Sequence, residues 1–110
     1  MKQQDRYVFR VHYSNEDQKF VATVAELPSL SWLADSQEKA LRGLRKVVDD
    51  VVADMRENGE EVPVPFDDRE YSGKFLLRLT PGEHRQLALQ AAEQHVSLNK
   101  LAASRVMSHA

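Results

Sequence analysis

The chain has no cysteine. That excludes a disulfide framework, a thiolate nucleophile and any cysteine-based zinc site. Long apolar runs are also missing: no stretch approaches the length needed to cross a bilayer, and Met1 to Arg6 is polar with no secretory h-region behind it. The expected location is cytoplasmic, with no membrane partner. Neither charge sign dominates, since 15 Lys and Arg stand against 17 Asp and Glu for a net charge of −2. Glycine and proline number 4 each, so low-complexity and collagen-like classes are excluded as well. What remains is a soluble, globular composition in 110 residues, enough for one domain or two small ones.

The near-neutral total hides an asymmetry. Residues 73–110 carry five Lys and Arg against two Glu, plus three, whereas residues 1–72 carry ten against fifteen, minus five. The last third would therefore favour a polyanion, and dimerisation would double its positive patch.

That last third is the most informative stretch. From Lys74 to Leu79, apolar Phe75, Leu77 and Leu79 alternate with Lys74, Leu76 and Arg78, the pattern of a short strand with one face built for burial. Thr80-Pro81-Gly82-Glu83 then supplies a hydroxyl cap, a proline at the first helical position and a glutamate three residues after the cap. The first helix shows Leu87, Ala88, Ala91 and Ala92 along one face and gives out near His95-Val96. Ser97 can cap a second, on which Leu98, Leu101, Ala102 and Val106 recur at three- and four-residue spacing. A lone strand leaves both edges unpaired, and so small a unit buries too little to be stable alone. Pairing with the same strand of a second chain solves both problems, and a two-stranded ribbon fits the DNA major groove. The stretch resembles the ribbon-helix-helix fold of the Arc and MetJ repressors. Its dimer core is expected from Phe75, Leu77, Leu79, Leu87, Leu98, Leu101 and Val106.

Earlier in the chain, Tyr7, Phe9, Val11 and Tyr13 alternate with Val8, Arg10 and His12, and Phe20, Ala22 and Val24 alternate with Val21 and Thr23. These are two strands of a hairpin turning through Ser14 to Gln18. Glu26-Leu27-Pro28-Ser29 interrupts the pairing, and Leu30 to Leu33 is a candidate third strand. Asp35 or Ser36 caps the longest helix, expected to run to about Asn58-Gly59. Its stripe of Leu41, Leu44, Val48, Val51 and Met55, widened by Val47 and Val52, should lie on the sheet. Glu38/Arg42, Arg45/Asp49 and Lys46/Asp50 are expected as ion pairs on the solvated face. Val62-Pro63-Val64-Pro65 is extended and a candidate edge strand. Residues 67–72 read as a charged linker, so protease is expected to cut first between Gly59 and Ser72.

Glu26-Leu27-Pro28-Ser29-Leu30 and Ala34-Asp35-Ser36-Gln37-Glu38-Lys39-Ala40-Leu41 look like the LPG and GDTxEEAL patterns of HicB-type antitoxins, with Ser29 and Ala34 in place of the family's glycines. Tyr71-Ser72-Gly73-Lys74-Phe75, Arg78-Leu79-Thr80-Pro81 and Val96-Ser97-Leu98-Asn99 resemble its C-terminal SGKF, RLxP and SLN signature. The resemblance implies an α+β chain: a partial RNase H-like domain over residues 1–66 (three-stranded antiparallel sheet, one long helix, a short extra strand), a linker over 67–72, and a ribbon-helix-helix domain over 73–110. It further implies an antitoxin of a type II toxin-antitoxin system. The first domain would neutralise a HicA-type mRNA-cleaving toxin, and the second, as a homodimer or higher homo-oligomer, would bind operator DNA and repress the operon. Lys74, Leu76 and Arg78 match the family's DNA-reading positions. Leu76 departs from the polar residue often found in the middle, and an aliphatic side chain cannot hydrogen-bond a base edge, so readout is expected to lean on Lys74 and Arg78. Ser97, Asn99 and Lys100, where the second helix begins, are expected at the DNA backbone, since free amides and the helix dipole there attract phosphate.

An enzyme is not expected. Two-metal nuclease chemistry needs carboxylates converging from the sheet, and Tyr7 to Tyr13 and Phe20 to Ala25 contain none. His12, His84, His95 and His109 share no metal-ligand spacing, so no cofactor or metal is expected. The alternative to the antitoxin is an orphan ribbon-helix-helix transcriptional regulator without a toxin partner.

Overall fold

A computed structural model describes residues 1–108; the end of the expected second domain, including His109, lies outside the described residues. Among these the chain is mixed α+β: β1 (Phe9–Ser14), β2 (Lys19–Val24), β3 (Ser31–Ala34), α1 (Gln37–Glu57), α2 (Pro81–Glu93) and α3 (Leu98–Met107), with short 3-10 turns at Gln3–Arg6 and Phe66–Asp68. It divides into two compact units, Met1–Tyr71 and Ser72–Ala110.

The first unit is a three-stranded antiparallel sheet in the order β1-β2-β3. In the β1/β2 hairpin the pairs Phe9/Val24, Val11/Ala22 and Tyr13/Phe20 share one face, and across β2/β3 Trp32 and Ala34 join that face opposite Ala22 and Phe20. Period-two alternation thus puts every bulky apolar residue of β1 on one side. The hairpin closes where Ser14 Oγ donates to Asp17 Oδ2 and accepts from the Asp17 amide, with Gln18 in the left-handed region at φ 51°.

Helix α1 covers this face. Ser36, rather than Asp35, is its cap and accepts from the Lys39 amide. Asp35 is occupied by Lys19 across the sheet end, and that hydrogen bond holds its carboxyl below the ordinary range. The buried row is Ala40, Leu44, Val48 and Val52, which joins Tyr7, Ala22 and Val24 in the core. This row corrects the expected stripe: Leu44 and Val48 are central, but Leu41, Val47, Val51 and Met55 are only half-buried flanks. A straight i, i+4 ridge is what a sheet surface accommodates, and it includes Ala40, which is small enough to vanish from solvent. Gly43 sits directly beneath the Trp32 indole, and a β-carbon at that position would collide with the ring.

The outer helix face also differs from expectation. None of the three i, i+4 pairs closes within 4.0 Å; Arg45 instead meets Asp5 at 3.5 Å and lies over the Phe9 ring, while Asp49 takes Lys2 and the Gln4 amide. The N-terminal 3-10 turn packs beside the helix and supplies closer partners than the helix itself.

The short extra strand is not formed. Val62–Pro65 forms no regular secondary structure and joins no ladder, since Pro63 and Pro65 have no amide to donate. The segment is held by its carbonyls and by the residues on its C-terminal side. Pro63 O accepts from Tyr7 OH at 2.6 Å and Gln3 Nε2 at 2.8 Å. Buried Glu26 accepts from the Val8 amide through Oε1 at 2.9 Å and from the Phe66 amide through Oε2 at 3.0 Å. Beyond it Arg69 stacks on Phe66 at 3.9 Å and donates to Val64 O, Tyr71 OH donates to Phe66 O, and Asp68 pairs with Arg6. Most of the expected linker, through Tyr71, is therefore bound back to the first unit.

Candidate nucleic-acid interface

In the second unit, Ser72 and Gly73 make a turn in which the Lys74 amide donates to Ser72 Oγ at 3.1 Å and Gly73 takes φ +82°, a conformation natural to glycine. Lys74 to Leu79 forms no regular secondary structure and has no ladder partner, so the expected strand is not present in the single chain. Phe75 is 78% exposed, Leu77 51% and Leu79 40%. Three large apolar residues at alternate positions stand in water, which a stable soluble unit does not maintain in isolation.

The helices are well made locally. Thr80 accepts from the Glu83 amide while Glu83 accepts from the Thr80 amide, and Pro81 occupies the first position. The Thr80 backbone bond holds the Glu83 carboxyl below its ordinary value of 4.5. α2 ends where His95 adopts φ 58°, its amide reaching Ala92 O and that of Val96 reaching Ala91 O. This is a Schellman ending with histidine in the glycine position. Ser97 caps α3 by accepting from the Lys100 amide at 3.0 Å, and Arg105 ties the helices by donating to Gln90 Oε1.

Of the seven residues expected in a dimer core, only Leu101 is buried; Leu87 and Leu98 are half-buried, and Phe75, Leu77, Leu79 and Val106 (49%) are exposed. The exposed ones converge. Phe75 and Leu77 face Ala102 and Val106 of α3 across an open groove of about 450 Å³, and Leu79 lines a second of about 340 Å³ with Leu87 and Leu98.

Of the expected DNA-reading residues, Lys74 lines the first groove and Leu76 the second, although Leu76 is 76% exposed, and only Arg78 lines neither. Ser97 and Lys100 lie at the start of α3 as expected, although the Ser97 oxygen is already engaged as a cap. Asn99 differs: it lines both grooves beside Phe75 and Leu77. Sequence reasoning missed Glu26, whose only signal was a lone carboxylate directly after an apolar strand. Among the described residues no group of three or more His, Asp or Glu is placed to hold a metal, and no helix is long and apolar enough to cross a membrane.

The second unit thus consists of an exposed, unpaired segment rich in apolar residues and two capped helices, with apolar grooves between the segment and the helices. Residues 57–106, which contain the Lys74–Leu79 segment, α2 and all of α3 but Met107, match the model of the HicB family. No curated protein and no solved structure matches the chain.

Proposed function

We propose that the chain is a HicB-type antitoxin and autorepressor. In this reading two copies pair their Lys74–Leu79 segments into an antiparallel ribbon, burying Phe75, Leu77 and Leu79 and filling the grooves beside α3. The observation that carries it is that unpaired, alternating, exposed segment within the stretch matching the HicB family. The ribbon then presents Lys74, Leu76 and Arg78 to a major groove, and the start of α3, with Ser97 and Lys100, meets phosphate, while Asn99 lies on the side that the second copy fills. The first unit, a reduced RNase H-like scaffold in this reading, holds a HicA-type mRNA-cleaving toxin.

The test is co-expression of the full chain with the small basic protein encoded beside it, together with binding to the DNA upstream of both. Restored growth, a co-purifying complex and preference for the upstream duplex over a scrambled one are expected. A full chain that neither rescues growth nor discriminates between duplexes would overturn the proposal.

One observation favours a second reading. The family match begins at residue 57 and leaves the sheet and nearly all of α1 outside it. An orphan ribbon-helix-helix regulator without a toxin partner would show DNA discrimination with no rescue.

A further inference from the structure

The outer edge of β3 is unguarded within the first unit. Among the described residues β3 pairs with β2 alone. The Ala25 amide donates to Val8 O, so Thr23 and Val21 turn their backbone groups toward β1, while Ala22 and Phe20 turn theirs toward Trp32 and Ala34. Ser31 and Leu33 therefore keep their amides and carbonyls on the outer edge. Edge strands are commonly blunted by a charge, a proline or a covering loop. Ser31-Trp32-Leu33-Ala34 has neither charge nor proline, and Trp32 and Leu33 are each 44% exposed. The β1 edge differs, since Arg10 lies in that strand and the segment carrying Pro63 is tied to Tyr7 beside its start.

Trp32 shows which side of α1 adjoins this edge. Its indole lies over Gly43, and from there Val47, Asp50, Asp54 and Glu57 follow at four- and three-residue spacing along the same side of the helix. At about 1.5 Å per residue the carboxylates begin roughly 10 Å beyond Gly43 and extend to roughly 21 Å. All three are exposed, and among the described residues none closes an ion pair, not even with Lys46 beside the row. A second copy pairing β3 with β3 about a twofold axis would keep both α1 helices on one face of the joined sheet and set the two acidic rows against each other. A basic partner neutralises the row instead. We infer that the outer edge of β3 is where the first unit docks its protein partner, which adds an extended strand to the sheet, covers Trp32 and brings lysine or arginine side chains to Asp50, Asp54 and Glu57. This rests on the reading that the first unit holds a toxin, and it names the surface that does so.

The experiment compares amide hydrogen exchange in the full-length chain, alone and with the small basic protein encoded beside it. Added protection is expected at Ser31 and Leu33, and none at Val11 or Tyr13 on the opposite edge. Leu33→Lys, which puts a charge on the sheet face away from α1, and Trp32→Ala should each weaken the complex by about thirtyfold or more, the loss typical of a central interface residue. Asp50→Lys, Asp54→Lys and Glu57→Lys combined should slow association about tenfold at low salt, an effect that fades at high salt. A complex in which Ser31 and Leu33 exchange as in the free chain would overturn the inference and leave the antitoxin reading standing. No complex at all would remove both. Protection of those amides that grows with the concentration of the chain alone would give the edge to a second copy and overturn the inference, as would association unchanged by the three lysines. The exchange comparison needs no variant and reads out even if Trp32→Ala misfolds.

Discussion

Glu26 joins two backbone segments that are far apart in sequence, with one carboxylate oxygen on each amide. Removing it leaves the part-buried Val8 and Phe66 donors without their carboxylate partners, at roughly 1 kcal/mol or more for each group. Glu26→Ala is therefore expected to lower the unfolding free energy of the first unit by about that sum and to free the Phe66 amide for hydrogen exchange, whereas Glu26→Gln, which keeps one acceptor, should cost less. Protection at Phe66 unchanged in Glu26→Ala would show that the clasp does not hold the segment. Tyr7→Phe removes the bond to Pro63 O, but that carbonyl keeps Gln3; about 1 kcal/mol in chemical denaturation is expected. Burial, and then the nearby Glu26 charge, push the Tyr7 phenol above its ordinary value of 10.0. The stability linked to it is fully present below that ordinary value and is lost as pH rises through the raised one.

At the scale of elements, two helices end by the same geometry with different residues in the left-handed position: Gly59 after α1 (φ 72°) and His95 after α2 (φ 58°). A residue with a β-carbon loses roughly 1 kcal/mol or more in that conformation. His95→Gly is expected to stabilise the second unit by about that amount, read as a rise in Tm, and a fall would mean that the imidazole makes a contact outweighing the strain. The α2 start carries a pH dependence. Because the Glu83 carboxyl is held below its ordinary value, its contribution is present above that value and is lost as pH falls through the lowered one. Glu83→Gln should flatten the acid limb of helix melting. The three strands of the first unit, the α1 cap region and the Thr80 box were legible in the sequence because each is a local pattern, whereas the strand expected from Lys74 to Leu79 is not formed in the single chain. The partners of Arg45 and the clasp at Glu26 were not legible, since each is decided by a contact between residues 18 or more positions apart, which periodicity and capping rules do not encode. The missing edge strand is different, because its cause, the absent amides of Pro63 and Pro65, stands in the sequence itself.

For the whole molecule the consequence is concentration dependence. Lys74 and Arg78 lie in an exposed, unpaired segment, whereas Arg69 is stacked on Phe66 and bonded to Val64 O. Trypsin is therefore expected to cut first after Lys74 or Arg78 in dilute protein, with protection appearing as the ribbon pairs at higher concentration. First cuts after Arg69 would instead restore the flexible linker expected from sequence. Phe75→Ala should weaken the dimer by about 3 kcal/mol, seen in sedimentation, since it removes a large anchor from the shared core. The charge division, minus five before Gly73 and plus three from it onward, adds that DNA binding should weaken steeply with salt. The most direct measurement compares Arg78→Ala and Lys100→Ala, both folded and dimeric, on the upstream duplex and a scrambled one over a range of salt. Arg78→Ala is expected to collapse the specific-to-scrambled affinity ratio by roughly 1 to 3 kcal/mol. Lys100→Ala should lower both affinities alike and reduce the salt slope by about one. A ratio unchanged by Arg78→Ala would contradict readout of DNA by the ribbon.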